Sequence, residues 1–232
     1  MIRAIGFVPA APLLVPQVAG GSADLDNDLR LACRDVTRRL AAAGGDAITV
    51  VAPLAAGTRW PDPADTAEPV DRTWGFEGFG VPRRPADPRP RLLWPFGIGD
   101  WLLDEVEWSG ERSFVGLSPD ATASPPAASG DALLVVGDGS ARRTEKAPGH
   151  LDERAESFDA SVEAALRDGD VAGLGGLDPD LAADLMCAGA PVWRWVAGVV
   201  GGRPVADAEV LAATAPYGVA YFAAWWRLAD ST

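Results

Sequence analysis

IRAIGFVPAAPLLVPQVAGGSADLDNDLRLACRDVTRRLAAAGGDAITVVAP, residues 2 to 53, reads as a strand, a helix and a second strand. Ile2 to Val8 is an apolar run that stops at Pro9, the pattern of a buried strand opening into a loop. Ser22 is placed to cap the helix that follows. In that helix Leu25, Leu29, Cys33, Val36 and Leu40 recur at intervals of three and four and share one face, while Arg30, Arg34, Asp35 and Arg38 fall on others. Gly44 and Gly45 stop the helix, and Ala47 to Ala52 is a second buried strand ending at Pro53. Two strands joined through a helix by short connections run parallel, which implies an α/β layer fold.

Working outward, the stretch from Leu54 to Arg91 changes character. It is rich in Pro, Asp, Arg and Gly and too poor in apolar residues for a core of its own, so it reads as an excursion from one domain spanning residues 1 to 232. Within it Trp74, Phe76 and Phe79 suggest a short strand or hairpin arm. Gly99 to Val106 predicts a helix and Arg112 to Leu117 a strand. A Pro/Ala/Ser loop from Pro119 to Gly130 leads into Ala132 to Val136 (ALLVV), the strongest buried strand of the chain. Asp152 is placed to cap a helix whose apolar face carries Phe158, Val162 and Ala165/Leu166. Asp178-Pro179 starts another helix, running to about Cys187 with Gly189 as its stop. Trp193, Val196 and Val200 suggest a further helical segment, and Glu209 to Trp226 supplies the last strands around Pro216-Tyr217-Gly218.

Composition excludes several functions. The chain has 232 residues and a formal charge of −13, which argues against nucleic acid or an anionic membrane as partner, since phosphate binding needs a basic patch. Pro9, Pro12 and Pro16 would break the helical core of a secretion signal, and the uncharged run from Val210 to Trp226 is interrupted and short for a membrane span. Two cysteines far apart suit a reducing cytoplasm. Nine tryptophans, Trp225-Trp226 among them, raise the chance of a homo-oligomeric interface, although ordinary core packing of a hydrophobic residue explains most tryptophan. His150 is the only histidine and Lys146 the only lysine, which removes every metal centre built on two or three imidazoles.

Functional groups in α/β sheets sit at the carboxyl ends of strands. Three such ends stand out: Pro9 to Leu14, Pro53 to Thr58, and Gly137 to Asp152. The last, GDGSARRTEKAPGHLD, is the densest in polar groups, with Asp138, Ser140, Arg142, Arg143, Glu145, Lys146, His150 and Asp152. A lone lysine in an arginine-rich chain suggests a place for a compact amine, or chance. Arg142 and Arg143 could clamp a carboxylate or phosphate, or pair with Glu145. Asp138 and Ser140 could serve as catalytic and binding groups or satisfy backbone N–H groups in a turn, the simpler reading for Ser140. GDGS lacks the Lys-Ser/Thr ending of a phosphate loop, and no G-x-S-x-G sequence supports a triad of Ser140, His150 and Asp138 or Asp152.

GDGSARRTEKAPGHLDERAESFDASVEAALRDGD, with VPAAPLLVP at the start, VVAPLAAG after the second strand and LMCAGAP late in the chain, resembles the class III extradiol ring-cleavage dioxygenases, the LigB-type subunits, and their Memo-like relatives. GDGSARR and APYGVAYF are similar to an actinobacterial branch of that superfamily. The resemblance implies a three-layer α/β/α fold, phosphorylase/hydrolase-like, with a mostly parallel or mixed central sheet. It also implies iron held by two histidines and a carboxylate or cysteine, with a further histidine as acid/base. The first ligand position falls at Ala10, the second at Leu54, the catalytic histidine at Ala141, and a third ligand position matches Cys187. Iron is therefore not expected to bind, and no cofactor is expected.

The resemblance further implies that Ala10, Leu54, Ala141, Cys187 and the Tyr217-Gly218 turn converge around the former metal position. The expected function is a degenerate domain that binds a small molecule or regulates, with Ser140, Arg142, Arg143, Glu145, Asp152 and Tyr217 as binding groups. The alternative is a hydrolase or lyase using Lys146, His150 or Asp138, with Arg142/Arg143 as an anion clamp. A third reading binds Mg²⁺ or Zn²⁺ through Asp138, Glu145, Asp152 and Cys187.

Overall fold

The computed structural model describes residues 1–20, 27–43, 45–54, 73–81, 91–118 and 130–229. Ser22, Leu25, Gly44, most of the 54–91 excursion and the loop over 119–129 lie outside the described residues.

β1 (Ala4–Val8), β2 (Ala47–Pro53), β5 (Glu111–Leu117) and β6 (Ala132–Val136) form the parallel part of a six-stranded sheet. β7 (Val205–Thr214) and β8 (Tyr221–Leu228) complete it as an antiparallel pair. The order is β5-β2-β6-β1-β8-β7. β1 is buried on both faces and divides its side chains by the period of two: Ala4 and Val8 face one core, Ile5 and Phe7 the other.

The first core is closed by α2 (Asn27–Ala43), whose Leu29, Cys33, Val36 and Leu40 are buried as the periodicity predicts, and by α3 (Trp94–Glu105). The second is closed by α4 (Arg154–Asp168), α5 (Val171–Gly175), α6 (Pro179–Asp184) and α7 (Ala190–Val200), packed on Ile5, Phe7, Leu133 and Val135. Helices on both faces of one mixed sheet make a three-layer α/β/α fold. The helix α1 (Pro16–Ala19) is a single turn after β1. No described helix is long and apolar enough to cross a membrane.

Several local expectations are corrected. Trp74 lies on a short strand, the first of the two alternatives, but that strand is no hairpin arm: β3 (Thr73–Trp74) pairs in parallel with β4 (Arg91–Leu92), and residues 77–79 form a 3₁₀ turn. α3 begins at Trp94, five residues before Gly99, because Pro95 suits the first turn, where a missing N–H costs nothing. α6 ends at Asp184 rather than Cys187. Gly189 starts α7 instead of stopping the helix before it. Asp178 caps α6 as expected, its carboxylate accepting the N–H groups of Asp180 and Leu181.

Trp225 and Trp226 are buried inside the chain, Trp226 with its indole N–H donating to Leu166 O at 2.7 Å and its ring edge-on to Phe7. Ordinary core packing accounts for this pair.

One close approach fixes the end of β6 against α7. A Cβ on Gly137 would lie 2.7 Å from the Cα of Gly189, and the Gly189 N–H donates to Asp138 O at 2.7 Å. Gly137→Ala is expected to cost about 1–3 kcal/mol, because backbone rather than a flexible side chain must give way. Urea denaturation of the variant checks this.

Candidate functional site at the sheet's carboxyl edge

The chain leaves β1 toward α2 on one face and leaves β6 toward α4 on the other. The connections after these two neighbouring strands leave toward opposite faces, which is the arrangement of a topological switch point, where α/β sheets commonly hold their ligands. Since β8 runs antiparallel, the Tyr217-Gly218 turn between β7 and β8 arrives at the same edge.

Asp138 stands at this switch point. Every other residue from 132 to 141 is buried, whereas Asp138 keeps part of its surface in water. Its Oδ1 accepts the Ala10 N–H at 2.7 Å, linking the loop after β6 to the loop after β1. Among the described residues this is the one hydrogen bond to the carboxyl group. Protein surrounds the group closely enough that desolvation pushes its pKa up to about 7, against a smaller downward pull from the Ala10 N–H.

Around it the backbone is stitched tightly. Gly139 N–H donates to Ala220 O, Ala220 N–H to Ser140 O and Arg143 N–H to Gly218 O, so residues 139–143 extend alongside the start of β8. Gly218 has φ 73°, and a Cβ there would meet Ala147 and Thr144, both 2.6 Å away. Ala141 N–H donates to Leu185 O, and Gly149 N–H to Ala141 O. His150 and Met186, both with left-handed backbone, close the two neighbouring loops.

Ala10, Leu54 and Ala141 are buried in one apolar cluster, and Tyr217 packs against that cluster half-buried. Cys187 is buried in the core on the opposite face, with its thiol donating to Asp138 O at 3.5 Å. Burial pushes that thiol's pKa up. This donor set does not fit iron: two alanines and a leucine offer no ligand atom, and the cysteine is held as a protonated thiol. Among the described residues no three His, Cys, Asp or Glu side chains converge as a metal site, so Asp138, Glu145, Asp152 and Cys187 do not form the carboxylate centre considered from sequence.

The remaining polar groups of the Gly137 to Asp152 segment are largely engaged elsewhere. Ser140 is fully buried; its N–H and Oγ donate to the two carboxylate oxygens of Asp159 at 2.8 and 2.5 Å. It holds the loop to α4 and touches no solvent. Burial raises the pKa of Asp159, opposed by the Ser140 and Arg143 contacts. Arg143 turns toward Asp159 and Glu156, both at 3.4 Å.

Arg142 donates to Asp184 O at 2.9 Å and more weakly to His150 O, and lies 3.8 Å from Asp152. Asp152 also accepts the Arg154 N–H and pairs with its guanidinium, which holds its pKa down at about 2. It thus serves the start of α4, though one residue outside the cap position. His150 is exposed, with Nδ1 2.7 Å from Glu145 O. Glu145 and Lys146 are exposed.

Sequence reasoning placed Asp138 and Ala10 at one site but missed the hydrogen bond between them, which the β1–β6 pairing brings about. It also missed Asp159, whose place in the Phe158-Asp159 pair gave no sign that it would anchor Ser140. No protein-family model matches this chain, and no match was found among the curated proteins.

Proposed function

We propose that this chain is a LigB-like domain without the iron site, acting as a non-catalytic small-molecule-binding or regulatory protein in the reducing cytoplasm. Its binding place is the switch point. The observation that carries this reading is Asp138, the one half-buried residue in the otherwise buried run from 132 to 141, bonded to the loop of Ala10 at the sheet edge where the core residues Leu54 and Ala141 also lie. An apolar cleft with a few fixed polar groups is the general form of a small-molecule site. Two free cysteines, both buried, support the compartment.

A hydrolase or lyase reading keeps one observation in its favour. A carboxyl group whose pKa stands at about 7 suits general acid/base work. The residues first considered for that role fit it less well, because Lys146 and His150 face solvent and Arg142 is bound to backbone carbonyls.

The test is elemental analysis and catechol turnover of protein purified with added ferrous iron. The expected result is no stoichiometric iron and no ring cleavage. Stoichiometric iron accompanied by catechol turnover would overturn the reading.

A further inference from the structure

We propose that a cleft between α4 and the β7–β8 end binds a small zwitterion, an α-amino acid with a compact apolar side chain. The cleft has a volume of about 220 Å³. That is below the roughly 300–1,000 Å³ of pockets for drug-sized ligands, which limits the occupant to a compact solute. Asp138 does not line it, and its occupancy is independent of the switch-point reading above.

The two walls of the cleft differ in charge. On α4, Glu156, Asp159 and Glu163 share one face through spacings of three and four, and Arg143 joins them from the loop after β6. The strand wall, Ala213, Thr214 and Ala215 with Ala220 and Phe222, carries no charge. Asp159 is buried and committed to the Ser140 N–H and Oγ, and Glu163 pairs with Arg167 one turn on. The groups left for a ligand are the Arg143 guanidinium and the Glu156 carboxylate.

Both are loosely held. Arg143 Nη1 stands 3.4 Å from Asp159 Oδ2, and Nη2 stands 3.4 Å from Glu156 Oε1. A fully made charge-assisted bond is shorter, about 2.7–2.9 Å. Among the described residues the guanidinium has no other acceptor and Glu156 Oε2 has no donor. The unused N–H groups of Arg143 can therefore take a carboxylate as a fork, and Oε2 can take an ammonium.

A lone anion bound here would lie against Glu156 and Glu163, and a lone cation against Arg143. A zwitterion meets both charges and brings no net charge to a chain of −13. In an α-amino acid the two charged groups hang on one carbon, a separation short enough for the neighbouring Arg143 and Glu156. Its side chain is left to the uncharged strand wall, which suits an apolar group.

The experiment titrates three probes into the whole chain by ligand-observed NMR at about pH 7, where leucine is a zwitterion. They are leucine, 4-methylpentanoate, which lacks its amino group, and 3-methylbutylamine, which lacks its carboxylate. Leucine is expected to bind at least about tenfold more tightly than either of the others. Arg143→Met should remove its advantage over the amine, and Glu156→Gln its advantage over the acid. Glu156 is 81% exposed and Gln is its isostere, so this variant keeps the fold and decides the matter if Arg143→Met, which loosens the Asp159 contact, does not fold.

Equal binding of leucine and 4-methylpentanoate would mark a plain anion site, and tighter binding of the amine a plain cation site. Either overturns the proposal, as does absence of leucine binding or a leucine advantage over the acid that survives Glu156→Gln.

Discussion

Asp138→Asn raises the melting temperature at about pH 8 and leaves it close to that of the wild-type chain near pH 4. The folded pKa of Asp138 stands at about 7 against an ordinary value of 3.8. Between those values the folded state binds more protons than the unfolded one, so stability falls as pH rises through this window. Below the lower value the group is neutral in both states and costs nothing. Above the upper value the full penalty of a poorly solvated carboxylate is present.

A shift of this size corresponds to about 2–4 kcal/mol, or roughly 5–10 °C in a chain of this length. Asn removes the charge and keeps an acceptor for the Ala10 N–H. Thermal denaturation at the two pH values checks it, and an equal effect at both would show that Asp138 is not a strained carboxylate. A charge that destabilises the fold where it sits is what a ligand-binding position looks like energetically.

Asp159→Ala is expected to destabilise the chain by about 3–5 kcal/mol, because it strands several groups at once. The Ser140 N–H and Oγ both donate to the Asp159 carboxylate, and Ser140 is fully buried, so water cannot replace the lost acceptor. Arg143 loses one of its two carboxylate partners. Asp159→Asn should cost about 1 kcal/mol, since the amide oxygen still accepts the Ser140 N–H and the amide nitrogen can donate to Oγ. Urea denaturation of the pair measures the difference. Equal losses in both variants would place the effect in side-chain packing instead of hydrogen bonding. Ser140 follows Asp138 by two residues, so Asp159→Ala should also loosen the Asp138 carboxyl group.

Periodicity revealed the layers because period is a local property. Leu29, Cys33, Val36 and Leu40 had to share a helix face, and the unbroken apolar runs of β1, β2 and β6 had to be covered on both sides. The cap at Asp178 was equally legible, being chemistry between residues two and three apart. Boundaries set by neighbouring turns were not. Gly189 has the composition of a helix stop but begins α7, where the approach of Gly137 and the bond to Asp138 O fix it.

The sequence by itself determined that the Gly137 to Asp152 segment lies at a strand's carboxyl end, that its histidine and lysine are single, and that no imidazole stands at Ala10, Leu54 or Ala141. Only the tertiary structure decided what each charge there does. Val8 and Val136 meet because β1 and β6 pair across more than a hundred residues, and that pairing brings the Ala10 N–H to Asp138. Likewise α4 captures Ser140 and Arg143 through Asp159, and Asp184 captures Arg142 through its carbonyl. A charged side chain serves the nearest partner that replaces its lost water, and those partners arrive from distant segments of the chain.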